Sequence, residues 1–136
     1  MKSPKEITET MMAVDAFSRW LGIKVLESGK GVSRLSMVVR KEMLNGFGIA
    51  HGGITYCLAD SALAFSSNSH GKKSVSVETS ISHLISLVEG DEIIAEATEE
   101  SCSNKIAVYT VKVYKTSDKS VVALFKGTVY RTSKYW

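Results

Sequence analysis

At 136 residues, with 44% hydrophobic and 23% charged side chains, the chain has the size and make-up of one globular domain and is too apolar to stay disordered. Seventeen basic against fourteen acidic residues give a formal charge of +3, too small and too dispersed for a nucleic-acid binder. No apolar run approaches the ~18 residues of a membrane span, and the start (Met1-Lys2-Ser3-Pro4) has no apolar signal core, so the cytoplasm is expected, with neither membrane nor nucleic acid as partner.

Residues 6–20 place Ile7, Met11, Val14 and Phe17 at helical spacing, and Leu21-Gly22 ends the run, which predicts an amphipathic N-terminal helix. The pattern then turns extended. Two strands, about 23–28 and 32–40, flank the turn Ser28-Gly29-Lys30-Gly31, with Leu35, Met37 and Val39 on one face of the second. A long apolar helix follows, ending near Asn68. After a turn at His70-Gly71-Lys72-Lys73, Val75, Val77, Thr79 and Ile81 alternate with Ser76, Glu78, Ser80 and Ser82, which reads as a strand with one polar face. Three more strands, 91–102, 106–115 and 120–131, are joined by short polar turns and predict a meander. The order is α+β: one long helix wrapped by a curved antiparallel sheet of five to six strands.

The stretch from Asn45 to Asn68 is the most informative. Ile54, Tyr56, Leu58, Ala59, Ala62, Leu63, Ala64 and Phe65 spread around the whole helix, and the segment carries a single charge, Asp60. A carboxylate in such a setting is costly to bury and its pKa should rise. Such groups are kept mostly when paired or used chemically, and the Gly-rich turn upstream favours use. One sheet covers only part of a helix that is apolar all round, so a second subunit is expected on the remainder. Cys57 and Cys102 have neither metal-ligand spacing nor a disulfide pattern, and His70 and His83 have no metal spacing either, so no metal is expected.

Asn45, His51-Gly52-Gly53, Leu58-Ala59-Asp60 and, after the next strand, Gly90-Asp91 resemble the hotdog-fold acyl-CoA thioesterases of the PaaI (phenylacetic-acid-degradation) type, over about residues 15–132 of one domain spanning 1–136. Asp60, nine positions after His51, is the specific part of that match. The resemblance implies hydrolysis of arylacetyl or short- to medium-chain acyl-CoA, with CoA as part of the substrate and no cofactor, by a homodimer that pairs again into a tetramer. It makes Asp60 general base or nucleophile, gives the Gly52 N–H to the thioester oxygen, and lets Asn45 orient the reactants; Asp60 and the 45–52 segment can come from different subunits. Ser76 matches a serine or threonine that assists the carboxylate in a subset of the family. The usual proline near Ser86 is absent.

Several of these residues have structural readings as well. Gly52 and Gly53 fit a helix-start turn that needs unusual backbone angles, and they also let a carbonyl approach the backbone; helix-start N–H groups favour an oxyanion whatever the family. Asn45 can cap the Asn45-Gly46 turn. His51 fits a helix-entry hydrogen bonder better than a proton shuttle, and Asn68 is either a ligand contact or a helix C-cap. Tyr56, one turn before Asp60, borders the pocket if it shares that face. Lys72, Lys73 and Lys105 are candidates for the nucleotide phosphates. The competing reading is a non-catalytic acyl-CoA-binding module, though the appended DNA-binding segment of such regulators is not expected here. A hydratase on the same fold would need a paired Asp and His on a different loop.

Overall fold

The computed structural model describes residues 1–136. Its first helix, α1 (Pro4–Val14), is opened by Ser3, whose hydroxyl accepts from the Glu6 N–H while the Glu6 carboxylate accepts from the Ser3 N–H. Reciprocal capping of this kind satisfies backbone donors that would otherwise go unpaired. The helix expected over 6–20 breaks at Asp15. Its carboxylate accepts from the backbone N–H (3.0 Å) and the hydroxyl (2.7 Å) of Ser18 and so starts a second helix, α2 (Ala16–Leu21). Ile7 and Leu21 are buried, whereas Val14 and Phe17, read as part of the inward stripe, are 83% and 52% exposed because the break changes the helical phase.

The hairpin β1 (Lys24–Gly29) and β2 (Val32–Val38) follows the sequence reading, with Leu35, Met37 and Val39 buried. A 3-10 turn (Lys41–Met43) leads to the central helix α3 (Gly52–Asn68), and then come β3 (Lys72–His83), β4 (Glu92–Cys102), β5 (Ile106–Lys115) and β6 (Val121–Tyr135). All six strands form one antiparallel sheet in the order β1-β2-β4-β5-β6-β3, wrapped on α3, which touches every strand. This is the α+β architecture read from the sequence, and β4-β5-β6 is the meander. No helix is long and apolar enough to cross a membrane.

The core is Leu58, Ala59, Ala62, Leu63 and Phe65 of α3 against inward residues such as Ile93, Ala95, Tyr109, Val111 and Phe125. Helix and sheet meet closely at Gly127 of β6, where a Cβ would lie 2.5 Å from a Leu63 methyl carbon. Only glycine permits that approach. A stripe of α3, comprising Gly53, Tyr56, Cys57, Asp60 and Ala64, is only half-buried. Beside it β3 forms a sheet edge, paired only with β6 and bulged between Ser76 and Glu78. Val75 and Val77, read as the strand's apolar face, are therefore 57% and 60% exposed in the single chain.

Candidate active site

The start of α3 is set by His51, whose ring Nδ1 accepts the Gly53 N–H at 2.9 Å. His51 is thus the helix N-cap, the structural one of its two readings. The cap takes up the Gly53 donor and leaves the Gly52 N–H, first in the helix, with no hydrogen-bond partner in the protein. Upstream, the Asn45 side-chain oxygen accepts from the backbone N–H of Phe47 (2.9 Å) and Ile49 (3.4 Å), closing the loop before the helix. Two N–H donors converging on it identify that atom as the oxygen, so the Asn45 amino group is free. Asn45 and Gly52 line one cavity of about 260 Å³ together with Ile49, Ala50, Thr55 and the His83–Leu87 segment.

Asp60 sits at the middle of α3 in a different environment. Its carboxylate makes no hydrogen bond and no ion pair with any side chain of the protein; desolvation by burial, and secondarily the negative charge of Asp15, hold its pKa above the ordinary aspartate range. It opens on a cavity of about 230 Å³ lined by Leu63, Ala64, Ser67, Ser74, Val75, Ser76 and Val129. Ser76, singled out from the sequence, is thus brought to Asp60. Ser67 and Ser74 join them there.

The two cavities share no residue. Eight positions separate Gly52 from Asp60, and at 1.5 Å rise per residue this is about 12 Å along the helix. One copy of α3 cannot present both groups to the same carbonyl carbon.

Tyr56 packs edge-on against Phe125, with ring centroids 5.4 Å apart, and its hydroxyl bonds the Thr79 hydroxyl. It lines neither cavity, because it turns to the sheet. Asn68 is fully committed: its amino group donates to the Ala64 and Ser74 carbonyls, and its oxygen accepts the Ser74 N–H and the Trp136 indole N–H; it is the last residue of the helix, and the C-cap expected of it is Ser69 instead. Lys72 donates to Asn104, and the Lys73 ammonium lies 4.7 Å over the Trp136 ring, at the opposite end of α3 from Gly52. The sequence reading passed over Thr55 and His83 as site residues. The approach of His83 to Gly52, 31 positions earlier, depends on strand β3 returning beside the helix start.

The family model of the thioesterase superfamily matches residues 47–122, from the loop before α3 to the start of β6. A curated relative, the acyl-coenzyme A thioesterase PaaI of Escherichia coli, is 33% identical over 117 residues, covering 86% of this chain and 83% of that protein. The chain belongs to the thioesterase superfamily. The structure of the E. coli PaaI protein superposes with a TM-score of 0.94 at 30% identity, covering 97% of this chain and 95% of that one. A Streptococcus mutans protein with acetyl-CoA bound superposes at 0.80, with 27% identity over 84% of this chain and 91% of that one. The fold is therefore the hotdog fold of the PaaI-type thioesterases, and the chain is a thioesterase enzyme.

Proposed function

We propose that the chain hydrolyses acyl-CoA thioesters, arylacetyl or short- to medium-chain, to the free acid and CoA, at a composite site in which Asp60 of one subunit faces Gly52 and Asn45 of the other. The reading rests on the unpaired, half-buried Asp60 carboxylate beside its own cavity, at a helical distance from the free Gly52 N–H that one chain cannot close. CoA binding is supported by the acetyl-CoA complex of the S. mutans relative. In the reaction, Asp60 takes a proton from water as the water oxygen bonds to the thioester carbon. The carbonyl electron pair moves onto its oxygen, where the Gly52 N–H and the partial positive charge of the helix start hold it. Collapse re-forms the carbonyl, breaks the C–S bond and releases the CoA thiolate, which takes up the proton that Asp60 carried. The free Asn45 amino group orients the reactants, and Ser76 supports the carboxylate.

A second copy of the chain is the natural cover for the half-buried α3 stripe and the bare β3 edge with Val75 and Val77. Such a dimer, paired again into a tetramer, brings the two half-sites together. The deciding experiment is steady-state hydrolysis of phenylacetyl-CoA and a panel of acyl-CoAs by wild type and Asp60→Asn. Wild type should turn over at least one of these substrates, and the variant should lose 1,000-fold or more in kcat, on the order expected when an essential base is removed. Turnover by the variant at the wild-type rate, or binding of acyl-CoA by wild type without turnover, would overturn the proposal.

A further inference from the structure

Among the polar groups lining the cavity at the start of α3 that the reaction above does not use, the imidazole of His83 comes within 3.2 Å of the position a Cβ would take at Gly52. Resting on that reading, we infer that His83 is a second hydrogen-bond donor to the thioester oxygen, forming a two-donor oxyanion site with the Gly52 N–H.

His83 is the last residue of β3 and is held by the sheet. It pairs with Ala123 of β6, and the next two residues, Leu84 and Ile85, both donate their N–H groups to the Val122 carbonyl. The backbone that carries the ring is thereby held beside the helix start. Measured from the position a Cβ would take at Gly52, the Nε2 atom is 3.2 Å away, Cε1 3.5 Å and Cδ2 3.8 Å, so the ring leads with its nitrogen. Neither ring nitrogen has a hydrogen-bond partner among the side-chain bonds of the protein, and the Gly52 N–H has none either. Two unfilled donors therefore converge on one small cavity.

The separation suits a shared acceptor. A backbone nitrogen lies about 2.5 Å from its own Cβ position, so Nε2 is at most about 5.7 Å from the Gly52 nitrogen. Two donors that each make a hydrogen bond of about 2.9 Å reach a common oxygen when they are no more than about 5.8 Å apart. An imidazole with its proton on Nε2 donates from that atom.

The backbone of Gly52 is ordinary right-handed helix, which any residue adopts, so the unusual backbone angles expected of this turn are not found. A methyl group there would lie 3.2 Å from Nε2, a contact that a shift of a few tenths of an ångström in the His83 ring relieves.

The test compares His83→Leu, which has no donor, with His83→Gln, which keeps an N–H near the same reach, beside wild type and Asp60→Asn on the same acyl-CoA panel. His83 is exposed, so both variants should retain the wild-type circular dichroism and Tm. Removal of one oxyanion donor costs on the order of 100- to 1,000-fold in rate, so the Leu variant should lose that much in kcat with KM within about threefold of wild type. The Gln variant should recover at least about tenfold over Leu, a rescue that a merely space-filling ring would not give. A Leu variant with wild-type kcat, or equal losses in Leu and Gln, overturns the assignment. If that happens while wild type is active and Asp60→Asn is not, only the role of His83 falls; a wild type inert on the whole panel removes the parent reading and this one with it.

Discussion

The two ends of α3 are finished in opposite ways. At the C-terminal end Asn68 satisfies four backbone and side-chain groups, Ser69 donates to the Ser66 carbonyl while accepting the Gly31 N–H at 2.8 Å, and His70 and Tyr109 both bond the Glu99 carboxylate. Burial acts to raise the pKa of Glu99, but those two hydrogen bonds outweigh it and hold the group below the usual glutamate range. Burial, and then the hydrogen bond to Glu99, push Tyr109 well above the usual tyrosine range, so its proton stays in place. At the N-terminal end the Gly52 N–H, the Asn45 amino group and the His83 ring face a cavity with nothing in the protein to bind. None of these three residues is fully buried, so each group can be hydrated in the free chain and is available to an acceptor that enters the cavity. The closed end holds the helix to the sheet.

The largest expected effect is at Asp60, between the two ends, where Asn substitution should remove activity as set out above. Next comes Gly52→Pro. Proline is well suited to the first helical position, where it deletes the N–H without breaking a bond, and the extended backbone of His51 (ψ 137°) is compatible with a following proline. It should lower kcat about 100- to 1,000-fold while the fold persists by circular dichroism. Inactive Asp60→Asn and Gly52→Pro chains, unfolded together and refolded, should regain activity if the site is composite as proposed, because a mixed dimer would then hold one intact site. No recovery in subunits shown to have exchanged would place the whole site within one chain.

The closed end should respond mainly in stability. Asn68→Ala strands the Ser74 N–H and the Trp136 indole and should cost about 1–3 kcal/mol in denaturant unfolding, with a smaller loss of kcat per folded molecule than either substitution above, since Ser74 also borders the Asp60 cavity. A loss of kcat without loss of stability would erase the division between the two ends.

The smallest effects come from pH. With its folded-state pKa raised, Asp60 is favoured protonated in the native chain. Its contribution to stability is therefore fully present below the unfolded aspartate pKa of about 3.9 and is lost as pH rises through the higher folded value. At neutral pH Asp60→Asn should consequently raise Tm by a few degrees, a gain absent near pH 3. For the same reason kcat/KM of the wild type should fall on the acid side at a pH above the ordinary aspartate range, since the base must be ionised. An acid limb at or below about pH 3.9 would contradict the raised value.

Much of this molecule is legible in local pattern. Alternation and turn residues locate the strands, and the apolar circumference of residues 52–68 marks the central helix. Asp60 stands out because a lone charge on such a surface is expensive. The N-terminal helix is legible, but its break at Asp15 is not, because there a carboxylate bonded to Ser18 outweighs apolar periodicity. His51 and Asn68 are ambiguous in sequence, since capping residues and ligand contacts draw on the same side chains; the bond to Gly53 shows His51 to be the N-cap, whereas Asn68 ties the end of the helix to Ser74 and Trp136 and Ser69 is the C-cap.

The order of elements, the wrapped helix and the position of the carboxylate on it were determined by the sequence alone, because hydrophobic periodicity and turn chemistry act between near neighbours. Tertiary structure decided that β3 lies at the sheet edge, that Ser76 joins Asp60 while Tyr56 turns to Thr79, and that His83 comes to rest over Gly52. Those outcomes depend on register and on the path of a strand returning beside the helix, and no spacing along the chain encodes a distance across a fold.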